Sequence, residues 1–347
     1  MSYWQGLIHR YGPSLNIDGV DRPVSLHEGN TPLIPAPKLA EAICPGAEIF
    51  LKYEGLNPTG SFKDRGMTTA ITHAQAQGAK AVVCASTGNT AASAAAYAAR
   101  AGMKCLVIIP DGKIALGKLA GAIAYGATVV AIDGSFDDAL NLVRDLESRI
   151  PIAVVNSVNP ARLEGQKTAA WEVEDQLGRV PDWLSLPVGN AGNISAYWLG
   201  FIERGGARPR LLGTQAAGAA PLVLGHPVEK PETKATAIRI GKPARGDQAL
   251  AAIRQSNGIL LAASDEEIFD AYRLVSRLEG VFCEPSSAAG IAGLKRTYAD
   301  HSDEFKGKQV VCVLTGNGLK DPDSVFEQET HLIRIPNDIE SLVEVAR

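Results

Sequence analysis

Short, continuously apolar runs alternate along the chain with longer segments in which apolar residues recur every three or four positions. The short runs, rich in Val, Ile and Leu, predict strands, and the periodic segments predict helices. The predicted strands cover residues 49–53, 81–84, 105–109, 127–132, 152–155, 183–188, 210–213 and 309–314. The predicted helices cover residues 64–77, 115–124, 137–148, 161–176, 193–203, 266–278 and 286–294, and another begins near residue 89.

This alternation predicts an α/β fold, because continuous apolar strands separated by helices form parallel sheets that are covered on both faces. We expect two domains, each with a mostly parallel, twisted sheet flanked by helices. The Gly-, Pro- and charge-rich segment 218–247 predicts a long loop at a functional site or an interface, and the chain beyond residue 322 is weakly patterned. Ligands bind beyond the carboxyl ends of parallel strands, so candidate residues are those that follow strands.

The composition suits two domains that share a cleft. The chain has 347 residues, 46% of them apolar, with a formal charge of −4 and no basic block. Nucleic acid is therefore not an expected partner. The N-terminus has no apolar signal region and no apolar run is long enough to span a membrane, so we expect a cytoplasmic protein.

Cysteine and histidine spacing argues against disulfides and metal sites. The five cysteines, Cys44, Cys84, Cys105, Cys283 and Cys312, are far apart and include no C-x-x-C pair. The six histidines show no H-x-x-x-H spacing. We expect a reducing compartment and no metal.

The segment 57–66, N-P-T-G-S-F-K-D-R-G, is the first candidate site, between a predicted strand and a predicted helix. Pro58 and Gly60 predict a loop, and Ser61 is a candidate helix N-cap. Lys63 then lies in the first helical turn, where the positive end of the helix dipole lowers the pKa of an amine. This favours a lysine that loses its proton and attacks a carbonyl, although a solvated lysine at a helix start fits the same pattern.

Three further loops follow predicted strands. The run S-T-G-N-T, containing Ser86, Thr87, Asn89 and Thr90, offers hydroxyls and backbone N–H groups at a helix start, where a carboxylate would bind. A plain helix cap explains this run equally well. The third loop is V-G-N-A-G-N at 188–193, and the fourth is T-G-N-G, beginning at Thr315.

The loop V-G-N-A-G-N favours a small phosphate ligand. Its two glycines allow close approach of an anion to the backbone, and a helix N-terminus follows. The loop matches neither the P-loop pattern nor the dinucleotide pattern G-x-G-x-x-G. A common Gly-rich turn is the alternative here, and a turn after an edge strand is the alternative for the fourth loop.

Together these motifs resemble those of the fold type II pyridoxal-phosphate enzymes related to the tryptophan synthase β subunit. The run S-F-K-D-R at 61–65 resembles their cofactor-binding lysine motif, and E-G-N-T-P-L at 28–33 resembles a run near their start. Within that group, S-T-G-N-T and G-N-A-G-N are similar to the threonine synthases. Dehydratases tend to carry S-G-N-H with an all-glycine loop, and sulfhydrylases carry T-S-G-N-T with G-T-G-G-T.

The resemblance implies pyridoxal 5′-phosphate as cofactor, bound covalently by the catalytic Lys63. It implies that Asn89 contacts the 3′-oxygen of the cofactor and that the Thr315 hydroxyl faces its ring nitrogen, a position at which no carboxylate is expected. The implied phosphate-binding loop consists of Gly189, Asn190, Ala191, Gly192 and Asn193. The implied residues for the substrate carboxylate are Ser86, Thr87, Asn89 and Thr90.

The resemblance to threonine synthases also implies a reaction. Phosphate leaves O-phospho-L-homoserine and water adds at the β-carbon to give L-threonine, with Lys63 acting as base. The implied residues for the substrate phosphate are Lys118, Ser157, Arg162 and Asn190. Taken singly, Lys118 and Arg162 also fit surface charges. A serine or threonine dehydratase of the same fold, and a non-catalytic pyridoxal-phosphate-binding protein, remain alternatives.

The resemblance finally implies an organisation. Residues 1–55 and 155–347 would form the large cofactor domain, and residues 56–154 the small substrate-side domain. A homodimer is expected. Regulation by S-adenosylmethionine is not expected, because no additional N-terminal domain is visible.

Overall fold

The computed structural model describes residues 3–111, 116–134, 136–326 and 333–346. It confirms the α/β class, with two sheets that are flanked by helices. The strands are β1 (Leu33–Pro35), β2 (Glu48–Tyr53), β3 (Ala81–Ala85), β4 (Lys104–Pro110), β5 (Thr128–Ile132), β6 (Ile152–Val154), β7 (Trp183–Pro187), β8 (Arg210–Ala216), β9 (Ile259–Ala263) and β10 (Gln309–Leu314).

The helices lie between these strands and cover both sheets. They are α1 (Leu7–Tyr11), α2 (Pro37–Ile43), α3 (Lys63–Ala76), α4 (Asn89–Ala101), α5 (Leu116–Ala124), α6 (Phe136–Glu147), α7 (Pro160–Leu177), α8 (Gly192–Arg204), α9 (Pro221–Leu224), α10 (Gly246–Gln255), α11 (Asp265–Glu279), α12 (Ala289–His301), α13 (Asp323–Phe326) and α14 (Ile339–Ala346). None of the helices in the described ranges is both long and apolar enough to cross a membrane.

The larger sheet has the order β1-β2-β10-β7-β8-β9. Only β1 runs antiparallel to its neighbour, and the remaining strand pairs of this sheet are parallel. The central strands β7 and β10 are buried almost throughout, as expected for strands covered by helices on both faces.

The smaller sheet has the order β5-β4-β3-β6 and is parallel throughout. Strand β3 lies inside it and is buried, whereas the edge strand β5 is largely exposed. The sheet consists only of strands from residues 81–154, between the strands that the chain contributes to the larger sheet.

Helices α3 and α7 pack closely against each other and fix the position of the candidate site. A Cβ atom at Gly165 would lie 1.8 Å from the backbone oxygen of Arg65, and one at Gly66 would lie 2.8 Å from the backbone oxygen of Arg162. Glycine is therefore required at both positions. The close crossing brings the first turn of α3, with Lys63, near the first turn of α7, with Arg162.

The predicted N-cap at Ser61 is wrong. Helix α3 begins at Lys63, its N-cap is Phe62, and no side chain caps it. The backbone of Ser61 instead forms a bridge with Gly316, and its hydroxyl accepts only a long hydrogen bond of 3.4 Å from the Lys63 N–H. Pairing with the distant loop thus overrides the local capping preference of serine.

Several elements were not predicted. The segment 218–247, predicted as a loop, contains the short helix α9 and the start of α10 at Gly246, and the short apolar run I-L-L-A-A beyond it forms β9. The predicted helix at 286–294 begins as a 3₁₀ turn at Pro285–Ala288 and continues as α12 to His301. The weakly patterned C-terminal region contains α14, whose apolar side chains are exposed.

Candidate active site

The loop that precedes Lys63 pairs with the loop that begins at Thr315. The Phe62 N–H donates to the Thr315 carbonyl at 3.0 Å, and the Asn317 N–H donates to the Gly60 carbonyl at 2.9 Å. The Lys320 ammonium donates to the Thr59 carbonyl at 3.1 Å. The carboxyl ends of β2 and β10 therefore present both loops at one edge of the larger sheet.

Lys63 is partly buried at the first position of α3, with Nζ 4.1 Å from the centre of the Phe62 ring. Burial lowers the pKa of its amine to about 7, and the positive charge of Arg162 adds to the shift, against an opposing effect of Glu284. The sequence predicted a lowered pKa from the helix dipole, whereas here burial is the first cause. A neutral amine at neutral pH can act as nucleophile and base.

Asp64 anchors the loop beside Lys63. Its carboxylate accepts hydrogen bonds from the Thr59 N–H at 2.6 Å, the Thr59 hydroxyl at 2.5 Å and the Ser93 hydroxyl at 2.6 Å. Burial nevertheless raises the pKa of Asp64 to about 6. Asp64 thus connects the lysine loop to helix α4.

A cluster of buried charged side chains surrounds Arg65, which lies two positions after Lys63. The Arg65 guanidinium donates to Glu54 Oε2 at 2.6 Å and to Glu172 Oε1 at 2.7 Å, and Lys52 donates to Glu172 Oε2 at 2.9 Å. Burial alone would raise the pKa of Glu172, but Arg65 and Lys52 lower it to about 2. These four charges, two of each sign, join β2, α3 and α7.

The run S-T-G-N-T lies at the start of α4. The helix begins at Asn89, and its N-cap Gly88 makes no side-chain capping bond. The first N–H groups of the helix are therefore not capped by a side chain and can bind an anion. Ser86, Thr87, Asn89 and Thr90 are partly exposed. The arrangement suits a carboxylate, as the sequence predicted.

The loop V-G-N-A-G-N carries backbone strain and an unpartnered amide. Ala191 has φ +63°, a left-handed conformation that costs a non-glycine residue of order 1 kcal/mol or more. A Cβ at Gly189 would lie 3.1 Å from Ile238 Cα, so this side of the loop is closed. Asn193 Nδ2 is buried without a hydrogen-bond partner among the described residues, and it lies in the first turn of α8. A small phosphate fits these groups.

Arg162 is a buried cation without a carboxylate partner in the described part of the chain. Its side chain is 1% exposed, Nη1 donates to the Val155 carbonyl at 3.2 Å, and Nε has no partner. Burial, with a smaller contribution from nearby Arg245 and against an opposing effect of Cys84, lowers the pKa of Arg162 to about 10. A buried guanidinium with an unused donor indicates an anion site.

Arg245 is a functional candidate that the sequence analysis missed. Its Nε donates to the Ser157 carbonyl and its Nη2 to the Val158 carbonyl, both at 3.1 Å, and its backbone N–H donates to the Asn190 carbonyl at 3.3 Å. It therefore links the segment before α7 to the Gly-rich loop. The only hint was its place at the end of the irregular segment 218–247.

Glu284 is the second residue that was missed. Asn89 Nδ2 donates to its Oε2 at 3.0 Å, and the Thr315 hydroxyl lies 3.0 Å from its Oε1. Threonine, and not a carboxylate, thus stands at the position predicted to face the ring nitrogen, but a carboxyl group touches its hydroxyl. Glu284 precedes P-S-S in the sequence, a run that carried no motif in the sequence analysis.

The structure brings most predicted site residues together. Glu284 contacts both Asn89 and Thr315. The charges of Glu284 and Arg162 both influence the pKa of Lys63. Ser157 and Asn190 are both bound by Arg245. Lys118 lies in α5, but its side chain is outside the described residues.

The donor set matches pyridoxal phosphate. It combines a lysine of lowered pKa with the Asn193 amide at a Gly-rich helix start, which has no hydrogen-bond partner among the described residues. The Asn89 and Thr315 side chains, which both contact Glu284, complete the set. The described residues contain no group of three or more His, Cys, Asp or Glu side chains arranged to hold a metal ion.

Comparison with known proteins gives a family match. Residues 24–316 match the family model described as pyridoxal-phosphate dependent enzyme. The threonine synthase of Synechocystis sp. is 58% identical over 95% of this chain and 87% of the relative. The threonine synthase of Mycobacterium leprae is 57% identical over 98% and 96%, and that of Methanocaldococcus jannaschii is 47% identical over 98% and 87%.

Solved structures share the fold. The threonine deaminase of T.th. matches with a TM-score of 0.70 and 26% identity, covering 83% of this chain and 92% of that one. Maize serine racemase matches with a TM-score of 0.76 and 21% identity, covering 94% and 97%.

Proposed function

The chain belongs to the pyridoxal-phosphate-dependent enzymes and, within them, to the threonine synthases, and on this premise we propose how its residues convert O-phospho-L-homoserine into L-threonine and phosphate. The observation that carries the proposal is the presence of a lysine of lowered pKa together with a buried guanidinium that has no carboxylate partner among the described residues. Lys63 serves the amino-acid end of the substrate, and Arg162 serves its phosphate end.

Lys63 would hold pyridoxal phosphate, which would supply an electron sink for loss of a proton from the substrate α-carbon after the substrate amine has displaced Lys63. The freed Lys63 amine accepts that proton, because a pKa of about 7 leaves about half of the amine neutral at neutral pH. The loop made of Gly189, Asn190, Ala191, Gly192 and Asn193 would hold the phosphate group of the cofactor. Asn89 orients the ring through its amide.

The two anionic ends of the substrate, its carboxylate and its phosphate, bind two separate groups of donors. The substrate carboxylate binds Ser86, Thr87, Asn89 and Thr90 at the start of α4, where N–H groups and hydroxyls converge. The substrate phosphate binds Arg162, with Ser157, Asn190 and Lys118. Arg245 holds the backbone of this subsite and adds positive charge to it. Two anchored ends leave the β- and γ-carbons between them, beside Lys63.

The reaction is tested by supplying the purified protein with pyridoxal phosphate and then O-phospho-L-homoserine. We expect the absorption band of lysine-bound cofactor, followed by threonine and phosphate in equal amounts. The band with conversion of threonine or serine to an oxo acid and ammonia would identify a dehydratase. The band without any product would identify a non-catalytic binder, and no band would contradict the cofactor assignment.

Replacing Arg162 with alanine should weaken substrate binding through the phosphate. Loss of one charge-assisted contact costs about 1.5–3 kcal/mol, which corresponds to a rise in KM of about 10- to 150-fold. Arg162→Lys should recover part of this loss, because it keeps the charge but not the planar fork. Steady-state kinetics of both variants provide the measurement.

Arg254→Ala is the matched control for Arg162→Ala, since Arg254 is an exposed arginine on α10. Its KM should stay at the wild-type value. An Arg162→Ala enzyme with unchanged KM and unchanged thermal midpoint would remove Arg162 from the phosphate subsite.

The organisation of the chain is proposed on the same premise. Residues 1–55 and 155–347 form the large cofactor domain and residues 56–154 the small domain, a division supported by the separate sheets of strands β3–β6 and of the remaining strands. A homodimer and a cytoplasmic location are supported by the resemblance to the family. Sedimentation of the purified protein tests the dimer.

A further inference from the structure

Glu284 connects Asn89 and Thr315, the two side chains that the proposed function assigns to the cofactor ring. It is 5% exposed, and its two carboxyl oxygens each lie 3.0 Å from a partner, Asn89 Nδ2 and Thr315 Oγ1. A Cβ at Gly316 would lie 2.6 Å from Glu284 Cδ, so the backbone packs directly against the carboxyl. The position of this carboxyl is therefore fixed by its surroundings.

The charged groups around Glu284 do not neutralise it by direct contact. Lys63 of α3 and Lys320 of the turn after β10 favour its ionised form from a distance, and neither forms an ion pair with it among the described residues. Asn89 of α4 and Thr315 are neutral donors, and Cys283 is its neutral neighbour. Burial outweighs these influences and raises the pKa of Glu284.

The Thr315 hydroxyl has one proton and several possible acceptors. Its oxygen lies 3.0 Å from Glu284 Oε1 and 2.8 Å from Ser287 Oγ, which also accepts a hydrogen bond from the Gly316 N–H at 3.0 Å. An ionised Glu284 accepts a hydrogen bond from the Thr315 hydroxyl, because a carboxylate can only accept hydrogen bonds. The Thr315 oxygen then has no proton to offer an unprotonated ring nitrogen, and it could only accept a hydrogen bond from a protonated one.

A neutral Glu284 reverses this arrangement. Asn89 donates to Oε2, so the acid proton resides on Oε1 and is donated to the Thr315 oxygen. The Thr315 proton is then free for an unprotonated ring nitrogen. The two protonation states of one carboxyl thus correspond to two states of the cofactor ring.

We propose that Glu284 is a positioning residue that is held as a neutral acid, donates its proton to Thr315, and so keeps the ring nitrogen of the cofactor unprotonated. The buried carboxyl without an ion-pair partner and its contact with the Thr315 hydroxyl carry this proposal. It rests on the cofactor assignment above and is independent of the substrate.

The test is the ¹⁵N chemical shift of the ring nitrogen in holoenzyme reconstituted with ring-¹⁵N-labelled pyridoxal phosphate. Glu284→Gln is isosteric and reproduces the neutral acid, since its amide oxygen accepts from Asn89 and its amide nitrogen donates to Thr315. At neutral pH we expect wild type and Glu284→Gln to share a shift in the unprotonated range. As the pH rises, only wild type should show an added downfield change, when ionised Glu284 withdraws the Thr315 proton.

Three outcomes would overturn the proposal. A wild-type resonance in the protonated range that moves in Glu284→Gln would mean an ionised Glu284, and identical titrations of both enzymes would mean a purely structural role. Identical titrations of Thr315→Val and wild type would exclude transmission through the hydroxyl. Glu266→Gln, an exposed site on α11, is the control and should titrate as wild type. Absence of the bound-cofactor band would instead contradict the cofactor assignment itself.

Discussion

Replacing Lys63 with alanine should lower turnover by about 10⁴-fold or more, because a positioned proton-transfer group alone contributes up to about that factor. The variant also loses the amine that binds the cofactor. Its fold should remain intact, since alanine favours the helix and the Lys63 side chain forms no hydrogen bond or ion pair within the described ranges. Threonine and phosphate formation are measured together with the absorption spectrum and the thermal midpoint.

Lys38→Ala is the matched control for Lys63→Ala. Lys38 also lies in the first turn of a helix, α2, but its side chain is exposed and distant from the lysine loop in the sequence. Its activity and spectrum should equal those of wild type. Turnover that survives in Lys63→Ala, with the enzyme free of wild-type contamination, would remove Lys63 from the chemistry.

The sequence predicted the site where local pattern is sufficient. The strands that precede the candidate loops, β2, β3, β7 and β10, are mainly apolar runs, and small or polar residues follow them, so both the strands and their loops could be recognised. Parallel topology places the loops after β2, β7 and β10 at one edge of the larger sheet and the loop after β3 at the corresponding edge of the smaller sheet. This pattern, together with the family resemblance, is why Lys63, Asn89 and Thr315 could be predicted as residues of one site.

The contacts that refine the site could not be predicted in the same way. Glu284 meets Asn89 across 195 positions of sequence and Thr315 across 31, and neither spacing follows a helical or strand period. Arg245 reaches Ser157 across 88 positions. Ser61 shows the reverse case, because a strong local capping preference yields to a backbone pairing with Gly316.

The cluster of buried charges around Arg65 is a further case of pairing between residues that are distant in the sequence. Lys52 and Glu54 lie in or next to β2, Arg65 lies two positions after Lys63, and Glu172 lies on α7. Sequence alone favours the surface for such side chains, since Lys, Arg and Glu are rarely buried unless paired. The close crossing of α3 and α7 at Gly66 and Gly165 excludes water and makes the pairing obligatory.

Removing Arg65 should therefore destabilise the protein by about 3–5 kcal/mol, the cost of leaving buried partners uncompensated. Arg65→Met keeps much of the side-chain volume but leaves Glu54 without a cation and Glu172 with only Lys52. Urea unfolding of the cofactor-saturated variants measures the change in the free energy of unfolding. Activity should fall as well, because Arg65 lies two residues after Lys63 in the same helical turn.

Two comparisons separate charge from packing in this prediction. Adding Glu54→Gln to Arg65→Met removes the unpaired carboxylate and should recover part of the lost stability. Arg179→Ala breaks an exposed pair with Asp182 and should change stability by only about 0–1 kcal/mol. If Arg65→Met changed the unfolding free energy no more than Arg179→Ala does, the buried cluster would not hold α3 against α7. The position of Lys63 would then depend on the Asp64 contacts and on the pairing of its loop with residues 315–320.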